Sequence, residues 1–458
     1  MADDSTTQCW LFPKLSSKPV MVRFDEERGS SDGGALLLKA ADERIGLTSG
    51  LSRCVRDERN AGRIRHELAE LVRQRVFAIA CGYPDGNDAA RLAEDPIHKL
   101  LVGREPMDGD ALASQPTLSR FENSVGRADL YRLAEALART VIERHRRRLR
   151  GQARLITIDL DQTADLAHGE QQLALFNGYY DNRCYLPLLG FMSFDNEAEQ
   201  YLFTAVLRPG TARDKDGGVA VLKRLFQSLR RAFPKARLRV RGDAGFASPE
   251  VFAFLETANV EFVIAMQKNP VLKRRAESLM RRARRRAATT GQTEHFYGET
   301  SYAAGSWPHR RRVVIKAEVT CHPGREPKDN PRFVVTNLPT TPIYVYERIY
   351  CARGDVENRI KELHLGLEID RTSCSRFLAN QFRVLLTAAA FVLMQELRLR
   401  AARTALARAQ VWTLRDRLLK IGARLLVSVR RFVLRLPASY PFAQAWGRVA
   451  NSLGASAG

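Results

Sequence analysis

Three acidic positions in this chain of 458 residues stand where metal-dependent chemistry is easily assembled. In Ile158-Asp159-Leu160-Asp161-Gln162-Thr163, two carboxylates two residues apart end an apolar strand pattern, and the strand period of two points both to one sheet face. Charge on a strand of buried texture is unfavourable without a partner such as a metal ion. In Val240-Arg241-Gly242-Asp243-Ala244-Gly245-Phe246, a carboxylate again follows an apolar strand, inside a glycine-flanked turn. The region beyond the C-terminal ends of strands is where open α/β sheets bind ligands. The third position lies in Tyr350-Cys351-Ala352-Arg353-Gly354-Asp355-Val356-Glu357-Asn358-Arg359-Ile360-Lys361. Spacings of three, four and four place Tyr350, Arg353, Glu357 and Lys361 on one helical face. Alone, that helix reads better as an exposed rod laced with ion pairs. Together with two strand-end carboxylates it fits a two-magnesium phosphoryl-transfer site, because Mg²⁺ prefers carboxylate oxygen and substrate phosphates.

The elements that must position these groups form an α/β pattern. Strands are expected at 155–161, 185–191, 201–207, 238–241 and 261–265, with helices over 219–233 and 249–257. Residues 1–150 read as a mainly helical domain; a stripe of Ile64, Leu68, Leu71, Val72 and Val76 marks one helix, and Gln115 to Glu122 a second helix start. Such a domain in front of a basic core suits DNA binding, though packing on the core is an equal reading. Residues 151–269 are expected to form the first part of the catalytic core and 336–400 the second, with the Glu357 helix. Between them the basic segment 270–335 interrupts the pattern. Within it, residues 271–330 hold 14 Lys/Arg against 6 Asp/Glu, including Arg281, Arg282, Arg284, Arg285 and Arg286. A long helix is expected over 379–398, and within the basic C-terminal region, 401–458, a hairpin from Ala423 to Leu436 turning near Arg430-Arg431.

Composition narrows the partner. Lys and Arg number 73 against 51 acids, a formal charge of +22, which points to an anionic polymer. No apolar run long enough to span a bilayer is evident and the first ten residues lack a signal-peptide pattern, so a cytosolic, nucleoid-associated protein without a membrane partner is expected. Seven scattered cysteines without a C-x-x-C pair argue against a disulfide framework or a zinc ribbon. No P-loop pattern is present.

At its acidic motifs the sequence resembles the DDE transposases of bacterial insertion sequences. The similar branch carries Asp-x-Thr, Asp-x-Gly-Phe and Tyr-x-x-Arg-x-x-x-Glu, matched here by Asp161-Gln162-Thr163, Asp243-Ala244-Gly245-Phe246, and Tyr350, Arg353 and Glu357. Asp95-Pro96 and Thr117-Leu118-Ser119-Arg120 extend the likeness over most of the chain. The resemblance implies an RNase H-like core with a mixed sheet, interrupted by a basic β-rich insertion at 270–335. It implies Asp161, Asp243 and Glu357 as catalytic ligands of two Mg²⁺ (or Mn²⁺) ions, with Asp159 the alternative first ligand. It also implies double-stranded DNA as partner, as terminal inverted repeats and target, held by a homodimer. DNA contacts are expected from Tyr350, Arg353, Lys361 and the arginine run. Trp307 in the insertion would stack on a flipped base, unless it packs inside a small β subdomain. The signature's usual Lys, seven residues after the Glu, is His364 here, so Lys361 or Arg359 would take its place. His168 and Gln171 are candidates for the wall of the site, more simply as supporting loop residues. Rival functions are a nuclease of the same core without strand transfer and a catalytically inactive DNA-binding repressor. A glycosidase would leave the charge unexplained.

Overall fold

The computed structural model describes residues 9–167, 169–213 and 215–456. Its centre is a nine-stranded mixed sheet. Eight strands follow one another in the order Tyr201–Val206, Leu188–Phe194, Leu155–Gln162, Arg237–Gly242, Glu261–Met266, Arg332–Thr336, Arg311–Thr320 and Glu294–Tyr302, and Lys328–Asp329 pairs off this path. The three central strands, Leu155–Gln162, Arg237–Gly242 and Glu261–Met266, run parallel; all their flanking pairings are antiparallel. Leu155–Gln162 is buried from Ile156 to Asp161, which is why apolar residues fill the positions between its carboxylates.

The segment 270–335 is strand-rich only after its first third. Its first third is a 21-residue helix, Pro270–Thr290, started by Pro270 and by the Asn269 side chain accepting from Leu272 N. The helix forms because Leu272, Ala276, Met280, Ala283 and Ala287 make a buried stripe at helical spacing, with the arginines on the outer face. The strands that follow add to the edge of the central sheet rather than closing on themselves.

A second helix organises the whole chain. Phe377–Arg400 is almost entirely buried, and Leu68–Ala80, Arg127–Arg148, Leu36–Ile45 and the strand Tyr201–Val206 all pack on it. One continuous apolar core therefore runs from Ala35 to Leu453, joining the helical N-terminal region to the sheet. By length and hydropathy this helix is apolar enough to cross a membrane, contrary to the expectation that no such run exists; Gln381, Arg383 and Gln395 interrupt it and disguise its length, and 83% of the apolar window is buried inside the protein. Those amides have work in the interior. Gln381 Oε1 accepts from Leu207 N at 2.6 Å and Gln395 Oε1 from Leu202 N at 3.1 Å, while their Nε2 groups donate to Ala205 O and Gln200 O. The open edge of the sheet is thus satisfied by side chains of a helix.

Among the N-terminal elements, the helix expected from Ile64 starts at Leu68, where Glu67 and Glu70 form a capping box. Ile64 lies outside it. The expected C-terminal hairpin is present as Ala423–Ser428 and Arg431–Arg435, and Gly29–Ser30 joins it as a third strand. Before that strand, Cys9–Phe12 and Val20–Arg23 form a separate two-stranded arm.

Candidate active site

The parallel pairing of the two acidic strands sets the site. Arg241 lies opposite Asp159 in the register, so two residues further along both strands bring Asp161 and Asp243 to the same sheet end. Asp243 leaves its strand at once, and its carboxylate caps the following turn by accepting from Gly245 N at 3.0 Å. Asp161 accepts from Gln162 N at 3.0 Å and is 9% exposed. Burial first, and the nearby Asp243 charge second among the raising influences, push its carboxyl up to about 6, against the opposing pull of Arg353. Two carboxylates at one sheet end, near enough for one charge to act on the other, are donors of the kind a divalent cation takes.

Asp159 does something else. Its two oxygens receive Arg241 Nε and Nη2 at 2.7 Å each, and Arg241 Nη1 donates to Ile349 O at 2.9 Å. The pair is buried and bidentate, so Asp159 ties the strands to the segment before the Glu357 helix and each of its oxygens already accepts from Arg241. Of the two first-motif carboxylates, Asp159 is engaged in a bidentate pair with Arg241, whereas Asp161 meets Arg353 at the sheet end shared with Asp243.

The helix bearing the third acid is continuous but uneven in pitch: a wide turn through Tyr344–Tyr350, a tight one at Cys351–Arg353, then regular helix over Gly354–Lys361. Arg353 is drawn in against Asp161, Nη2 to Oδ1 at 2.9 Å. That contact is an ion pair without hydrogen-bond alignment, and Arg353 Nε and Nη2 remain buried with no hydrogen-bond partner. Asp161, Asp243 and Asp159 all act electrostatically on this guanidinium and raise its pKa against the lowering effect of burial. Tyr350 is half-buried beside Arg353 and Asp243, and burial raises its phenol. Glu357 lies one turn beyond Arg353, exposed. Beside Tyr350 opens a cleft of about 320 Å³ that includes Gln267, Lys268, Asn330, Arg332 and Tyr346.

The cations expected after Glu357 divide. Arg359 is committed to Glu199 at 3.2 Å and Glu362 at 3.3 Å, in a cluster completed by Arg398, which bonds both acids; it locks the helix to the core. Lys361 is exposed. His364 Nε2 lies 2.9 Å from Thr163 Oγ1, and its Nδ1 lies 3.2 Å from Asp370, so the residue at the signature's lysine position sits against the Asp-x-Thr motif. Sequence reasoning reaches the departure at His364 but not this contact; Asp370, six residues on, is the missing partner. Gln171 pins its loop by donating to Thr372 O at 2.7 Å. His168 lies outside the described residues.

Trp307 is a packed residue and not a platform. It is 8% exposed, edge-on to Phe252 at 5.1 Å and Tyr302 at 5.5 Å, with the Arg311 guanidinium 5.2 Å from its ring. The expectation that it receives a flipped base fails because its ring is enclosed. The arginine run lies on the outer face of Pro270–Thr290, which packs on the strands at the sheet's far edge, four to five strand spacings or roughly 20 Å from the acidic strands. There Arg284 is held by Glu277 and Asp329, Arg286 by Glu294, and Arg282 covers Phe296, while Arg281 and Arg285 stand exposed.

One other group of potential ligands occurs among the described residues: Asp32, Cys81 and His98, all buried, with donor atoms within 4.8 Å of one another. The Lys420 ammonium, at 2.7 Å, already neutralises Asp32, whose other oxygen lies 2.9 Å from His98 Nε2. The Lys420 charge opposes a metal ion, and its ion pair with Asp32 clamps the two ends of the chain together.

Residues 12–457 match the family described as Transposase DDE domain group 1. No curated protein matches the chain.

Proposed function

The chain belongs to the DDE transposase family, an enzyme family of DNA transposition and recombination, and we propose that it cuts DNA at transposon ends and joins them to a target by two-metal phosphoryl transfer. The observation that carries this reading is the convergence of Asp161, Asp243 and Arg353 at one end of two adjacent parallel strands. Asp161, Asp243 and Glu357 would hold the ions, which the family's chemistry requires to be divalent and which the hard oxygen donors suit to be Mg²⁺. Bound there, the metal supplies activation of the attacking oxygen and charge neutralisation of the leaving one.

The chain's own groups divide the remaining tasks. Arg353 holds Asp161 in the free protein and has two unsatisfied buried donors, so a phosphate entering the site gives it the partners it lacks. Tyr350, Lys268 and Arg332 line the way in and suit the flanking strand. His364, backed by Asp370, holds Thr163 and with it the end of the Asp161 strand.

The strand order supports an RNase H-like core: a three-stranded antiparallel half joined through Leu155–Gln162 to two further parallel strands. On that reading 270–335 is an insertion whose strands widen the core sheet, 1–150 is a DNA-binding region fused to it, and Tyr350, Arg353 and Glu357 mark the signature branch. The substrate is double-stranded DNA bearing terminal inverted repeats, bound by two copies of the protein.

The test is incubation with Mg²⁺ and DNA carrying the sequences that flank the gene. Cleavage at those ends with joined products is expected, and Asp161→Ala, Asp243→Ala and Glu357→Ala each abolish it while DNA binding persists, since affinity comes from Lys and Arg contacts to phosphate. Cut ends without joined products favour a nuclease. Full activity in any of the three variants removes that residue from the site.

A further inference from the structure

The N-terminal arm is apolar on both faces, and beyond the edge-on contact of Phe24 with Trp10 at 5.7 Å both faces stay open. Pairing of Trp10 with Val22 and of Phe12 with Val20 puts these four side chains on one face of the ribbon, and Leu11 with Met21 on the other. Every residue of both strands is exposed. A lone two-stranded hairpin is marginal in water, and an apolar area of this kind marks an interaction surface.

A second uncovered surface lies at the root of the arm. In the C-terminal hairpin, Leu425 is buried, but Val427 and Phe432, on the same face toward the tip, are 45% and 44% exposed, and Val429 in the turn is fully exposed. Arg431–Arg435 is the free edge of its three-stranded sheet, with unpaired backbone groups open to another strand.

Charge says what meets what. The arm joins the body through Asp25, Glu26 and Glu27, of which Glu26 reaches Arg424 of the hairpin at 3.4 Å within one copy. Among the described residues, Asp25 and Glu27 have no ion-pair partner, and neither have Arg430, Arg431 and Arg435 on the hairpin. Acid root and basic hairpin in one chain are complementary, so a two-fold axis between two copies satisfies both at once.

We propose that two copies of this chain associate by reciprocal exchange, the N-terminal arm of each lying along the C-terminal hairpin of the other. The choice of a second copy rests in part on the transposase reading, since one set of acids per chain must serve two DNA ends. The surface itself is independent of that chemistry.

Sedimentation of the DNA-free, full-length protein tests this without any cleavage assay. The wild type is expected to be a dimer at tens of micromolar, and Val429→Asp with Phe432→Asp to be a monomer of unchanged melting temperature. Two charge-reversed variants then identify the partner: Asp25→Lys with Glu27→Lys, and Arg430→Glu with Arg431→Glu. Each alone is expected to dimerise at least tenfold more weakly, because like charges now face each other. Mixed in equal amounts, they recover a heterodimer, since the reversed arm meets the reversed hairpin. A wild type that stays monomeric, a Val429/Phe432 variant that dimerises as before, or a mixture that recovers nothing overturns the exchange. None of these results bears on whether Asp161, Asp243 and Glu357 support cleavage.

Discussion

Replacing Asp161 by Asn should make the metal-free protein more stable while destroying its activity. Burial and Asp243 push the Asp161 carboxyl from an ordinary 3.8 up to about 6. A difference of that size corresponds to ~3 kcal/mol by which the ionised form disfavours the folded state near neutral pH. The sign follows from linkage. A group whose pKa is raised by folding contributes its full stability below the unfolded value and loses it as pH rises through the folded one. The wild type therefore gives up this contribution between pH 3.8 and about 6, and an amide at the same place does not. For a chain of 458 residues the unfolding entropy is roughly 1 kcal/mol per kelvin, so the variant should melt about 3 °C higher in chelator near pH 7.5, with the gap vanishing near pH 4. Mg²⁺ acts in the opposite sense: at a hundred times its dissociation constant it should stabilise the wild type by ~2.7 kcal/mol and the variant hardly at all. Thermal unfolding at two pH values, each with chelator and with Mg²⁺, checks all of this. A variant that melts below the wild type in chelator at neutral pH, or a gap independent of pH, refutes the reasoning.

Other substitutions separate structural from catalytic roles. Asp159→Ala leaves Arg241 charged, buried and without its partner, and should destabilise the fold by ~3–5 kcal/mol, read as a lowered denaturant midpoint. A loss of cleavage at unchanged stability would put Asp159 among the ligands after all. Trp307→Ala empties an enclosed aromatic cluster, at a cost of about 3–5 kcal/mol; binding and cleavage by the protein that remains folded should be normal. Neutralising Arg281 and Arg285 should reduce the slope of log K against log salt for duplex DNA by ~0.9 for each phosphate that an arginine no longer neutralises, whereas Arg284→Gln should change it little because Glu277 and Asp329 already occupy that guanidinium. An unchanged slope in the double variant makes that helix face merely solvated.

The carboxylates can be found in the sequence because they interrupt strands of strong apolar character, a local signal. What they touch cannot. Asp159 and Asp161 share a face and differ by two residues, yet one is sealed by Arg241 and the other is open, and only the pairing of strands 82 residues apart decides it. The helix Pro270–Thr290 is hidden for a different reason: its buried stripe includes three alanines, and the arginines between them dominate the composition. Trp307 has the same neighbours in sequence whether it is a platform or a plug; Phe252, which settles the matter, lies on another element. The packing of the helical region 1–150 on the core is equally out of local reach, because its apolar faces are completed by Phe377–Arg400, more than 200 residues on.

That last dependence has a kinetic side. Helices such as Leu68–Ala80 and the edge strand Tyr201–Val206 both wait for a segment translated near the end of the chain. At roughly 5–20 residues per second, some fifteen seconds or more separate the emergence of the first from that of the helix that covers it. During that interval the N-terminal helices can adopt only a loose assembly, and the strand's unpaired amides stay open to any passing edge. Final collapse should then be a single late event, with Gln381 and Gln395 setting the register of the strand as the helix docks. Ribosome-bound chains halted before residue 377 should be digested by protease throughout, and those halted beyond residue 400, once clear of the ribosome, should become resistant from the N-terminal helices to the sheet in one step.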